Sequence, residues 1–344
     1  MHFSFDPQKA ILASAGDYLD HFQRRGRAVH LEHLGIICYG VTDCLYLGEK
    51  SQVLLPLEGT ALPLIFTESC HYPAGDCRLT SLAQVVLSAT TDFLEVDEAA
   101  PFYAPGSDNL WHWTAENLPK LLALESIGYS GKYIVPLESK VARESLVLFH
   151  IPPERLLPAK AAYRVKRLLL PQRLSGFDLP YYLPLVEFTR NKLLEAVGTL
   201  PGGKRCYIRR TGRRKPVNEE NVLDLLRGFD FETMLPEDLS LAEQWRYMTN
   251  VDCSVMAHGA NSTLTLLQKP RSAFVELFGN RYVSYNNLHA ARLLRLKYHA
   301  LVQDLDVSSA PLDMSLADFL WGGLTADMVV DITHLRILLE TLLE

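Results

Sequence analysis

The sequence predicts an α/β protein of two domains, with a β-rich N-terminal part and a Rossmann-like second domain. Three observations carry this. Apolar strand-like runs alternate with amphipathic helical patterns from residue 204 to 302. A looser alternation covers residues 110–170 and favours a parallel sheet there. Between them lies a stretch with Pro171, Gly176, Pro180 and Pro184, the composition of a linker. At 344 residues, two cores are the default expectation. The expected parts are residues 1–175, residues 176–325 and a C-terminal amphipathic helix over 326–344.

Residues 27–67 alternate apolar and polar positions between turns and read as short strands: AVHLEHLGIICYGV, CLYLG, SQVLLPLEG and LPLIF. SLAQVVLSA and TDFLEVDEA extend this β-rich start, and PFYAPGSDNL is a loop. WHWTAENLPKLLALESIG is a helix, with Leu118, Leu121, Leu122 and Leu124 on its apolar face and Gly128 as its stop. KYIVP (strand), ESKVARESLVLF (helix) and YRVKRLLLP (strand) follow. VEFTRNKLLEAVG is the helix that enters the second domain.

There, RCYIRR is a strand. Asn218 is placed to cap a helix whose apolar positions are Val222, Leu225, Leu226 and Phe229. FETML is a strand. Ser240 and Glu243 form a capping box ahead of a helix that buries Leu241, Trp245 and Met248. CSVMA, SAFVELF and YHALVQ are strands, and NSTLTLLQK and NNLHAARLLRL are helices. Ligands of such sheets sit at the carboxyl ends of the strands.

Apolar residues at 48% and charged residues at 22% place the chain among globular proteins. A net charge of -6 argues against a general nucleic-acid binder. No apolar run reaches the ~18 residues of a membrane span, and the N-terminus does not read as a signal peptide. The six cysteines are scattered; Cys70 and Cys77 are near enough to bridge, but thiols in a reducing compartment are the better reading.

Five segments carry chemistry. From Lys204 to Lys215 there are seven Lys or Arg residues and no acid. Guanidinium forks at a strand's carboxyl end suit phosphate, and Arg209 and Arg213 are the preferred pair; the alternative is a solvated charge run. His258-Gly259-Ala260, followed by Asn261, offers close backbone approach and a helix start for a diphosphate. The alternative is that Asn261 or Ser262 simply caps that helix. Glu276 ends a strand, where it either accepts from ribose hydroxyls or pairs on the surface with Arg271 or Arg281. His112 and Glu116, four residues apart, share one helix face and could supply a general base; packing between Trp111 and Trp113 is the alternative. Glu243 is explained by the capping box, and Gln244 is a candidate for ribose or base contact. No dinucleotide fingerprint, P-loop, metalloprotease helix or nucleophile elbow occurs, and no carboxylate pair is placed to hold a metal-bound diphosphate.

At these residues the chain resembles glycosyltransferase family 61. WHWTAENLPKLLAL, RRTGRRKPVNEENVLDLL, PEDLSLAEQ, MAHGA and FVEL match the family's elements in order over roughly residues 110–300. The resemblance implies a GT-B fold, two Rossmann-like domains facing a cleft. It implies inverting transfer from a nucleotide sugar, typically a UDP-sugar, to a glycan or glycolipid hydroxyl, with no cofactor or metal. Arg209, Arg213, Asn218, Glu243, Gln244, His258, Gly259, Ala260 and Glu276 would line the donor side, and His112 and Glu116 the acceptor side. The sequence departs from the pattern at Leu264, where Asn is expected, and at Leu267, where Phe is. The expectation is a cytoplasmic enzyme of bacterial surface-polysaccharide synthesis, at most peripheral at the inner face of the membrane. A catalytically silent nucleotide- or glycan-binding subunit is the alternative that Leu264 motivates.

Overall fold

The computed structural model describes residues 28–31, 34, 36–48, 52–56, 63–67, 92–103, 106–171, 183–279, 282–303 and 326–344. SLAQVVLSA, most of the linker, Cys70, Cys77 and Arg281 lie outside the described residues. The chain divides into two compact units, residues 1–175 and 176–344.

In the first unit β1 (Ala28–Leu31), β2 (Ile36–Leu47), β3 (Gln52–Pro56) and β4 (Pro63–Thr67) pair antiparallel. Two short strands expected within 36–47 are one continuous strand, β2. The later segments β5 (Leu94–Pro101), β6 (Lys132–Val135), β7 (Leu156–Pro158) and β8 (Ala162–Pro171) pair parallel in the order β8-β5-β6-β7. Antiparallel pairing of β2 with β8 joins the two parts into one sheet. The β-rich start is therefore an extension of the α/β sheet: the parallel pairing expected for the later segments is present among β5–β8, and the antiparallel strands β1–β4 make the sheet as a whole mixed. Its core lies around Tyr46, Val53, Ala99, Ile134, Tyr163 and Leu168.

Helix α1 (Leu118–Ser126) follows a π-helical turn over His112–Asn117. Pro119 at the start of α1 favours such a turn, since it has no N–H for the carbonyl four residues back and its ring crowds that carbonyl. The Leu118 N–H reaches Trp113 O, five residues back. Helix α2 (Lys140–Leu148) is capped by Ser139, whose hydroxyl accepts from Ala142 N–H.

The second unit has five parallel strands: β9 (Lys204–Ile208), β10 (Phe231–Met234), β11 (Val251–Ala257), β12 (Ala273–Phe278) and β13 (Lys297–Val302). Their order is β10-β9-β11-β12-β13. Helices α3 (Leu183–Val197), α4 (Glu219–Arg227), α5 (Leu241–Met248), α6 (Asn286–Leu293) and α7 (Ile332–Leu343) accompany them. Strand parity assigns the faces. Tyr207, Val255, Val275 and Leu277 share a core with Val222, Leu226, Leu335 and Leu339, so α4 and α7 cover that face. Ser254, Met256, Phe274, Glu276 and Phe278 point the other way and are also buried.

Two local expectations are corrected. The NSTLTLLQK helix is 3-10, spanning Ala260–Leu267, and begins at Gly259 without a side-chain cap. Asn218 stands at the N-cap position of α4 but makes no capping bond, because its amide is engaged by Val330.

Candidate functional site

The strand order of the second unit reverses between β9 and β11, and a crevice at the carboxyl ends of the strands opens at such a switch. The basic loop follows β9 there, and His258-Gly259 follows β11. Arg210 is laid directly over Gly259, where any side chain would collide with its guanidinium. Arg210 Nε also donates to Arg213 O. Beside it stands Arg214, half-buried with a left-handed backbone (φ 62°). The Arg214 Nε is buried with no hydrogen-bond partner among the described residues. Burial first, and Arg214 second, lower the Arg210 pKa to about 10. Burial likewise pulls Arg214 below the usual arginine range. Two like charges partly withdrawn from water at a strand-end crevice form a site that an anion would relieve.

The structure thus brings Arg210 and Arg214 together at the crevice, not the expected pair Arg209 and Arg213. Arg209 is in a 2.5 Å ion pair with Glu219 at the start of α4, which raises its pKa. Arg213 is exposed. The missed signal was Gly259: a residue without a side chain opposite an arginine run marks where a guanidinium fits.

His258 is nearly buried. Its ring stacks on Phe278 with centroids 4.8 Å apart and meets Tyr282 at 5.3 Å. The Arg214 guanidinium lies 5.9 Å from the Tyr282 ring centre. Nδ1 of His258 is 2.6 Å from Glu276 Oε1. Glu276 is wholly buried, so its reading as a surface residue is overturned. Its carboxylate also accepts from Asn287 Nδ2 and, at 2.7 Å, from the Tyr298 hydroxyl. Burial and this carboxylate raise the Tyr298 pKa. Ser262 Oγ, 2.6 Å from Gly259 O and 2.9 Å from Asn287 Oδ1, ties the turn to the same network. Glu276 is thus occupied in orienting His258.

The remaining expected donor-side residues have internal roles. Glu243 completes the capping box with Ser240. Gln244 Nε2 donates to Pro236 O at 2.7 Å and Leu239 O at 3.2 Å, holding the turn before α5. Ala260 and Asn261 are partly exposed at the start of the 3-10 helix. Leu264 and Leu267 are buried, so those departures alter packing beneath the turn.

The first unit has its own cluster, beyond the carboxyl end of β5. His112 Nδ1 and Glu116 Oε2 are 2.8 Å apart, with the His112 side chain 39% exposed and that of Glu116 12%. Gly106, at φ 93°, packs against the imidazole. Asn117 Nδ2 donates to His112 O and Ser107 Oγ, both at 3.0 Å. A carboxylate behind an imidazole fixes the ring and directs proton transfer to Nε2. Trp113 is buried and donates to Ser145 Oγ, which leaves it no face for a sugar; Trp111 is partly exposed.

Among the described residues there is no group of three or more His, Cys, Asp or Glu side chains able to hold a metal ion. Nor is any described helix long and apolar enough to cross a membrane.

Residues 110–275 match the family model described as Glycosyltransferase 61. That span contains His112, Glu116, Arg210, Arg214 and His258. No curated protein matches the chain.

Proposed function

The chain belongs to glycosyltransferase family 61 across residues 110–275, and from that premise we propose an inverting, metal-independent transfer from a nucleoside-diphosphate sugar to a glycan or glycolipid hydroxyl. The observation that carries the donor reading is the pair of half-buried guanidinium groups at the β9/β11 switch point, Arg210 over Gly259 and Arg214 beside it with an unpartnered Nε.

The diphosphate lies against these two groups and the Gly259 turn. His258, held through Nδ1, donates from Nε2 to a phosphate oxygen. His112 Nε2 takes the proton of the acceptor hydroxyl while Glu116 steadies the ring. The acceptor oxygen bonds to the anomeric carbon. The bond from that carbon to the phosphate oxygen breaks, and the nucleoside diphosphate leaves with the electron pair. Charge grows on the leaving oxygens, where the two arginines and His258 are fixed in advance. UDP is the favoured nucleotide and bacterial surface polysaccharide the favoured product, both from the family resemblance.

Thermal unfolding with UDP, GDP, CDP, ADP, TDP and CMP, with and without EDTA, tests this. A ligand bound by the folded state raises the midpoint. One selective, EDTA-insensitive rise is the expected result; no rise with any nucleotide defeats the donor-site reading.

A further inference from the structure

The loop that carries Arg210 and Arg214 has little core of its own: Thr211, Gly212, Arg213, Lys215 and Val217 are all exposed. It is held by a segment more than a hundred residues later. Pro216 and Met328 form a parallel β-bridge. Val217 N–H donates to Met328 O at 2.7 Å, and Met328 N–H to Lys215 O at 3.0 Å. Lys215 N–H donates to Asp327 Oδ1 at 3.1 Å. Asn218 completes the seam: Nδ2 donates to Val330 O and Oδ1 accepts from Val330 N–H, each at 2.9 Å.

The segment is itself anchored. Met328 and Val330 are buried, and Asp331 N–H donates to Gln303 Oε1 at 2.8 Å. Asp331 then caps α7 through His334 N–H, and Leu335 and Leu339 seal α7 into the core. Arg214 therefore keeps its left-handed backbone one residue before the seam begins, a conformation a non-glycine residue holds only where its surroundings enforce it.

We infer that residues 326–331 are a strap that positions Arg210 and Arg214, with Asn218 as its key positioning residue, and so sets the affinity for the donor diphosphate without touching it. The inference rests on the reading of these arginines as phosphate ligands. It also makes the coupling reciprocal: a diphosphate that orders the loop must tighten the strap. Asn218 thus matters to donor binding through the chain's far end.

Inorganic pyrophosphate, which carries the diphosphate chemistry without a base, is the probe, with UDP beside it. Affinity is measured by calorimetry for the full chain and for Arg214→Ala, Asn218→Ala and Asn218→Asp. Hydrogen exchange of residues 209–218 and 326–331 is followed in the unsubstituted protein, so one arm needs no variant to fold. Expected are slower exchange in both segments on adding pyrophosphate, about tenfold weaker binding in Asn218→Ala, and partial recovery in Asn218→Asp, which keeps the acceptor for Val330 N–H. If pyrophosphate needs Arg214 but leaves exchange over 326–331 unchanged, or binds Asn218→Ala as tightly as the unsubstituted chain, the strap is wrong and the phosphate site stands. If neither probe binds, or Arg214→Ala binds as well as the unsubstituted chain, the phosphate site falls and the strap with it.

Discussion

Glu276 Oε1 lies 2.6 Å from His258 Nδ1, and water does not reach the carboxylate. Three groups converge on its two oxygens: the imidazole, Asn287 Nδ2 and the Tyr298 hydroxyl. Glu276→Gln has nearly the same volume but removes the charge and one of the two acceptor oxygens, so at least one of the three partners loses its acceptor. Leaving a buried polar group unsatisfied costs about 1–3 kcal/mol. Urea unfolding of Glu276→Gln is expected to show a loss of that size, and turnover is expected to fall with it because His258 loses its orientation. A variant within about 0.5 kcal/mol of the unsubstituted protein, the scatter of ordinary surface changes, would remove Glu276 from this role.

The arginines separate by environment. Arg214→Ala removes a half-buried cation at the crevice and is expected to weaken UDP roughly tenfold to hundredfold, the worth of hydrogen bonds to charged groups. Gly259→Ala places a methyl where Arg210 lies and should weaken UDP by displacing it, with the fold retained. Arg213→Ala changes an exposed residue, and Arg209→Ala breaks an ion pair with Glu219 that is partly screened. Both are expected to leave UDP affinity within about threefold. Calorimetry on the four variants decides it: equal losses in all of them would mean a diffuse charge effect and no defined site.

Element order from residue 110 to 302 was legible, except for the three-residue strand β7, because local periodicity and capping encode it. Ser240-Leu-Ala-Glu243 is a capping box in sequence and in structure. Which arginines turn inward was not legible. It depends on the left-handed backbone at Arg214 and on pairing with Met328, more than a hundred residues away. Glu276 was half legible. FVELF is apolar on both sides of the glutamate, the mark of a strand buried on both faces, and a carboxylate inside such a strand needs internal partners. Asn287 and Tyr298, which supply two of them, come from α6 and β13, and no short-range pattern links them.

Buried thiols give a pH prediction. Burial pushes Cys38, Cys44, Cys206 and Cys253 from 9.0 up to about 12. Burial moves the Tyr163 hydroxyl from 10.0 to about 12. A raised folded-state pKa contributes stability in full below the unfolded value, and that stability is lost as pH rises through the folded one. The unfolding midpoint is therefore expected to fall progressively between about pH 9 and about pH 12. Thiol labelling of these four positions should be slow in native protein at about pH 8 and fast in denaturant. A midpoint that stays flat from about pH 8 to 10.5, or rapid native labelling, would contradict the burial.

The His112–Glu116 pair gives the sharpest separation of binding from chemistry. The two side chains are 2.8 Å apart in a π turn that runs directly into Pro119, a residue without an N–H. His112→Ala is expected to lower turnover roughly 10²- to 10⁴-fold, the range for removing a general base, with nucleotide affinity unchanged. Glu116→Gln keeps the size but not the charge behind the ring, so its loss should be smaller. Pro119→Ala probes the geometry alone. It restores the N–H that an α-helical turn needs and relieves the crowding of the carboxyl-side ring, so the helix should gain stability while the pair shifts. Lower turnover in a Pro119→Ala protein that melts no earlier is the expected signature of a turn kept for function. Full turnover in His112→Ala would end the base assignment, and full turnover in Pro119→Ala alone would show that the turn is only a consequence of the proline.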